Sequence, residues 1–158
     1  MGSSCMNGML PVVALGKVDL RYFLELRTIL DADMVALAAT RAEPGQLDQT
    51  NQCITRHEQC GEDSLKAAAC DLESHYLVAE ATQNPFLTQL YVIFKDTFRF
   101  ALNDIVSTMG IEHALYYYRK LLAAFQSHNA AEARTVMQAH IQDTVNCFQT
   151  ERGTAEDE

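Results

Sequence analysis

The chain has 158 residues, 48% of them hydrophobic, with 12 Lys and Arg against 21 Asp and Glu for a formal charge of −9. A chain of this length forms one domain that buries about 68–70% of its unfolded surface. The dispersed cationic residues make this chain, taken alone, a poor nucleic-acid binder, because holding a polyanion takes clustered Lys and Arg. No apolar run approaches the roughly 18–20 residues of a membrane span, and the N-terminus lacks a signal peptide's charged-then-apolar order; the expected compartment is the cytoplasm. Five cysteines, odd in number, scattered and without a CxxC pair, predict free thiols rather than a disulfide framework or a zinc ribbon.

In chain order, residues 1–18 read as a flexible lead-in or linker remnant, 19–150 as one helical domain, and 151–158 as a disordered acidic tail. Within the lead-in, Met9 to Gly16 is apolar but too short for a helix of its own, and could dock on the body as a single turn. Asp19 is the expected N-cap of a helix to about Ala42, whose inward stripe runs Leu20, Phe23/Leu24, Arg27, Leu30, Met34 and Leu37/Ala38. Arg27 interrupts that otherwise apolar row. A weaker helix is predicted from Pro44 to Gln59, with Leu47 and Ile54 inward, followed by a turn over Gly61 to Asp63.

Asp63 or Ser64 caps the next helix, which the Gln83-Asn84-Pro85 stretch stops. Asp71 and His75 lie one turn apart there and point the same way, on the face that Ala68, Leu72, Tyr76 and Ala79 mark as inward. Pro85 opens the most hydrophobic helix, to about Val106, with Leu87, Leu90/Tyr91, Phe94, Phe98, Ala101/Leu102 and Ile105 on one side; it is expected to be the central element. Helices over about 112–126 (Leu115, Tyr118, Leu121/Leu122 and Phe125 inward) and 130–148 (Ala133, Val136/Met137, His140, Thr144 and Cys147/Phe148 inward) complete the pattern, the last capped by Asn129. Sustained period-two alternation and hairpin turn signals are missing. The fold predicted is an all-α antiparallel bundle of six to seven helices.

Four inward stripes thus carry a polar side chain at mid-face: Arg27, Asp71 with His75, Tyr118, and His140. In an antiparallel bundle such positions can converge on one cavity. One carboxylate and two imidazoles suit a divalent cation such as zinc, nickel or manganese; alternatively each is satisfied by its own core hydrogen bond. Tyr118 by itself reads as a core aromatic with its hydroxyl bonded. Arg27 either pairs with Asp31, its i+4 neighbour, or grips a ligand carboxylate with its planar fork. Cys53, His57 and Cys60 lie near one face but lack a fourth ligand, and His113 and His128, at helix ends, are expected in solvent. The sequence has no glycine-rich phosphate loop, GxSxG or HExxH.

Four segments in order, ELRTIL (Glu25 to Leu30), ALAATRAEPGQL (Ala36 to Leu47), DLESHYLVAEATQNPFL (Asp71 to Leu87) and YRKLLAAFQSHNAAEARTVMQAHI (Tyr118 to Ile141), make the chain resemble the FCD domain. This is the C-terminal effector-binding domain of FadR-type regulators in the GntR family. The resemblance implies a homodimeric sensor of a small carboxylate effector, not an enzyme, acting on DNA through a winged helix-turn-helix domain that residues 1–18 are too few to supply. In metal-binding members one Asp and three His hold a cation. Carried over, these are Asp71, His75 and His140, with Tyr118 where the family has its remaining histidine; Arg27 matches a cavity-lining arginine. A phenol ligates only after losing a proton with an ordinary pKa near 10. The resemblance therefore leaves three states open: a cation on three protein ligands plus water, a phenolate ligand, or a metal-free site. The rival reading is a small metal-dependent enzyme using a cation-bound water, with Glu73 or Glu80 as base; a purely structural helical partner is the third.

Overall fold

The computed structural model describes the backbone over residues 20–153 and the side chains through residue 149. Six helices span the described residues: α1 (Leu20–Arg41), α2 (Pro44–Glu58), α3 (Ser64–Ala81), α4 (Pro85–Met109), α5 (Ile111–Gln126) and α6 (Ala130–Gly153). The expectations for residues 1–18, for docking of Met9 to Gly16 and for the Asp19 cap lie outside the described residues.

Local chemistry sets the boundaries. Pro44 and Pro85 each start a helix, where the missing N–H is no loss and the fixed φ suits the first turn. Asp63 accepts the backbone N–H of Lys66 at 3.1 Å, Asn84 that of Phe86 at 3.0 Å, and Asn129 that of Glu132 at 3.0 Å, satisfying donors that a helix start leaves orphaned. The α3–α4 joint is tied from outside as well, since Arg41 Nη1 donates to the Thr82 carbonyl at 2.9 Å. Beyond Phe148 no breaker intervenes before Gly153, so α6 runs on and the first three residues of the expected acidic tail are helical.

Packing closes five helices into a ring. α1 lies against α6, α6 against α5, α5 against α2, α2 against α3, and α3 again against α1. The inward stripes of these helices meet inside the ring, with Val35, Ala38, Leu115, Phe125, Met137 and Ala133 fully or almost fully buried. α4 is not the central element its apolar sequence suggests. It packs chiefly along α3, buries Tyr91, Phe98, Ala101, Leu102, Ile105 and Val106, and leaves Phe86, Val92, Ile93 and Phe100 exposed. Apolar residues on the outer face of a helix add to its greasiness without adding to its burial; only the face with matched neighbours decides its place. Phe98 anchors α4, its ring edge-on to Phe23 of α1 at 5.1 Å and to Tyr91 at 5.0 Å.

Gly110 alone separates α4 from α5, at φ 73° and ψ 175°, a region essentially reserved for glycine. A Cβ there would meet nothing within 4 Å, so the backbone conformation is the sole objection to a side chain. Gly110→Ala is therefore expected to cost about 1–3 kcal/mol, read as a lower urea midpoint at unchanged slope.

Candidate functional site

The polar site grows from α1. Arg27 and Asp31, one turn apart and 3% and 1% exposed, form an ion pair from Nε to Oδ2 at 2.8 Å. The other Asp31 oxygen accepts the Tyr91 hydroxyl of α4 at 3.0 Å, and His75 Nδ1 of α3 stands 3.8 Å from Oδ2. The structural reading of Arg27 is thus present, but it uses only part of the guanidinium: Nη2 is buried without a protein partner.

One turn before His75, Asp71 is equally buried. Its Oδ1 accepts a hydrogen bond from the Tyr118 hydroxyl of α5 and lies 3.8 Å from His75 Nε2. The same hydroxyl is 3.5 Å from that nitrogen. His140 of α6 completes the set, its ring 5.8 Å from Tyr118 and 4.9 Å from Tyr117, with Nδ1 unpartnered. The structure therefore brings Arg27, Asp71, His75, Tyr118 and His140 into one interior cluster.

Two histidines join them that the pattern reading set aside. His57 of α2 is completely buried, its ring 6.1 Å from Tyr118, and neither ring nitrogen has a protein partner. His113 is half-buried rather than solvated: its ring lies 5.0 Å from His140 and 5.2 Å from Tyr117, because the helix begins at Ile111 and its first turn already faces α6 at this position. His128 is exposed as expected, with Nδ1 2.9 Å from the Ala39 carbonyl. The face His57 shares with Cys53 was visible in the sequence; that Thr50 and Ile54 bury the same face is what marks it as inward. All five helices of the ring thus contribute a polar group.

Burial dominates the electrostatics. It pushes the Asp71 carboxyl up to about 7, against the pull of Arg27, and pushes His75 down to about 4, with Arg27 adding to the fall. His140 lies well below its ordinary range, first by burial and then by Arg27, His113 and His75. Removing a group from water disfavours its charged form whatever the sign, so burial resists further charge beside the Arg27–Asp31 pair.

Beside Arg27 and His75 the packing is tight. The gap lined by Phe23, Arg27, His75, Tyr91, Phe98 and Leu102 totals about 150 Å³ and has no room for a water molecule. Nor do the donors form a cation site as they stand: among the described residues no three His, Cys, Asp or Glu side chains are grouped closely enough to hold a metal ion. The Tyr118 hydroxyl already bonds one of the two Asp71 oxygens. The two glutamates considered as bases are engaged elsewhere, Glu73 in an ion pair with Arg56 and Glu80 with the Tyr76 hydroxyl.

Burial pushes the His57 imidazole below 6.5, so the unfolded chain takes up a proton there before the folded one does. Its contribution to stability is complete above about 6.5 and declines as the pH falls below it. His57→Leu is expected to make urea stability decline less steeply between about pH 7 and about pH 5, by at most one proton's worth of slope.

Comparison with known proteins gives the same outline. The model of the FCD domain matches residues 22–143. The HTH-type transcriptional repressor NanR of Cronobacter sakazakii is 24% identical over 131 residues, 81% of this chain and 50% of the relative. NanR of Enterobacter sp. strain 638 is 24% identical over 123 residues, 76% and 47% of the two chains. The chain spans about half the length of these curated relatives. Among solved structures, Streptococcus agalactiae GntR superposes with a TM-score of 0.71 at 21% identity, over 86% of this chain and 63% of that one, which carries the fold. Matched by the family model across most of its length, the chain belongs to the FCD family, the effector-binding domain of GntR-type transcriptional regulators.

Proposed function

We propose that this domain senses a small organic acid at the Arg27–Asp71–His75–Tyr118–His140 cluster, without turning it over. The observation that carries the reading is the unused Nη2 of Arg27. A guanidinium buried to 3% with one arm unpaired is an incomplete fork, and a carboxylate is the group whose geometry completes it. The unpartnered nitrogens of His57 and His140 add groups able to donate or accept around a polar ligand. A purely structural core would be expected to pair such atoms, since each buried orphan costs about 1–3 kcal/mol.

Because the gap beside Arg27 and His75 has no water-sized space, binding there is coupled to a change of shape. An entering acid has to part the side chains lining the gap, two of which, Tyr91 and Phe98, belong to α4. That helix is held chiefly by α3, so it is the element that gives way. In an intact regulator, as a dimer carrying a DNA-binding domain, the displaced helix would alter DNA affinity by no more than the acid's preference for the opened state.

Thermal melting against a panel of small carboxylic acids tests the reading. An acid at 100 times its dissociation constant should add about 2.7 kcal/mol of stability. Arg27→Lys, which keeps the charge and loses the fork, should remove that gain; no stabilisation by any acid would sink the proposal.

The resident side chains do not fit a divalent cation, so no step is assigned to one. The hydroxyl of Tyr118 bonds Asp71 and approaches His75, satisfying by hydrogen bonding what a cation would satisfy by coordination. Tyr118→His is expected to raise zinc or nickel affinity on the order of tenfold or more, measured by elemental analysis and calorimetry. Unchanged metal uptake would place α5 wrongly relative to α3.

A further inference from the structure

Three cysteines meet at one corner where α2 ends and α3 begins. Cys53 is a core thiol: it is completely buried, with Sγ 3.3 Å from Ser74 Oγ and 3.4 Å from the Cys70 carbonyl. Cys60, in the turn after α2, and Cys70, in α3, are different. Both are half-buried, and their Sγ atoms lie 3.7 Å apart. The exposed residues Gly61 to Asp63 lead between them, and the Arg56–Glu73 ion pair already clamps the same two helices. No third metal-binding side chain is close enough to make the pair a metal site among the described residues, which leaves the chemistry of two adjacent thiols.

We propose that Cys60 and Cys70 are a redox-active dithiol, which a peroxide closes to an intramolecular disulfide and a thiol reductant reopens. A disulfide needs about 2.05 Å between sulfurs, and the remaining closure falls to two short side chains beside a solvent-facing turn. The Cys60 thiolate attacks one peroxide oxygen; the O–O bond breaks, hydroxide leaves, and Cys60 becomes a sulfenic acid. The Cys70 sulfur then attacks the Cys60 sulfur, the S–O bond breaks, and water leaves as the S–S bond forms. In sum two thiols and one hydrogen peroxide give one disulfide and two waters, with sulfur oxidised and peroxide oxygen reduced. Cys70 is placed to resolve the sulfenic acid because its sulfur lies 3.7 Å from that of Cys60, and it gives up its proton to the departing oxygen as it attacks.

The bridge would fix the end of α2 to α3 one residue before Asp71, at the rim of the polar cluster. A cross-link between residues 60 and 70 closes a short loop and restricts the unfolded chain, so the oxidised protein should be the more stable form.

The test uses the full chain, reduced and then treated with hydrogen peroxide. The expected result is loss of two hydrogens in mass and of two titratable thiols, and a linked peptide pair carrying Cys60 and Cys70. The melting temperature should rise by several degrees, and dithiothreitol should reverse every change. Cys60→Ser and Cys70→Ser should each abolish the bridge, whereas Cys53→Ser and Cys147→Ser should leave it intact. A bridge through another cysteine, a cross-link between two chains, overoxidation of Cys60 without a bridge, or retention of all thiols would each overturn the proposal.

Discussion

A guanidinium taken out of water governs this molecule. Arg27 cannot shed its charge, and an uncompensated buried charge is among the most costly defects a core can carry. Asp31 compensates it at 2.8 Å, but a buried carboxylate has further lone pairs to satisfy. One oxygen takes the Tyr91 hydroxyl, which brings α4 onto α1. The other stands 3.8 Å from His75, which orients α3. Helices that are separate in sequence are thus held in mutual register by one charge and the groups required to bury it. Apolar stripes specify that these helices pack; the Arg27–Asp31 pair specifies where along their length.

With one pair of opposite charges already present, further charge in the same volume is resisted. Asp71 is driven toward its protonated form and His75 toward its neutral one by the same loss of solvent. A tyrosine in the midst of them suits that state. Its hydroxyl bonds one group as donor and can meet a second without adding charge, so the resident network is consistent with neutral neighbours. An imidazole in its place would offer one N–H and one bare nitrogen, and the bare nitrogen is the kind of group a cation takes as a ligand.

The architecture was legible because it depends on periodicity and on punctuation. Pro44, Asp63, Asn84 with Pro85, and Asn129 mark helix starts by local chemistry that tertiary structure has no reason to override, and the expected starts hold to within a residue. The burial of Arg27, Asp71, His75, Tyr118 and His140 was legible for a related reason: a polar residue interrupting an apolar stripe must find company inside. What periodicity cannot supply is the partner. Tyr91 was read as part of an apolar face, though its hydroxyl belongs to Asp31 of α1, sixty residues away. His57 was hidden in a weakly apolar helix, and His113 within a terminal turn whose facing was ambiguous. The place of α4 was misjudged because its outer face is apolar too, with Phe86 85% and Phe100 74% exposed.

That outer helix bears on the proposed reading, because the gap beside Arg27 has no room for a water molecule. A cavity standing open would bind a ligand with little consequence for the rest of the fold. Here Arg27 and His75 share their gap with Tyr91 and Phe98, so under that reading occupancy and the position of α4 would not be independent. Opening would sacrifice the Tyr91–Asp31 hydrogen bond and the contacts of Phe98 with Phe23, and an acid's bonds to Arg27 would have to exceed that loss. The interactions that stabilise the domain would then also set the threshold for binding. A tighter Tyr91–Asp31 bond would give a more stable domain and a less sensitive one, tying the stability of the fold to the range of effector concentration it could report.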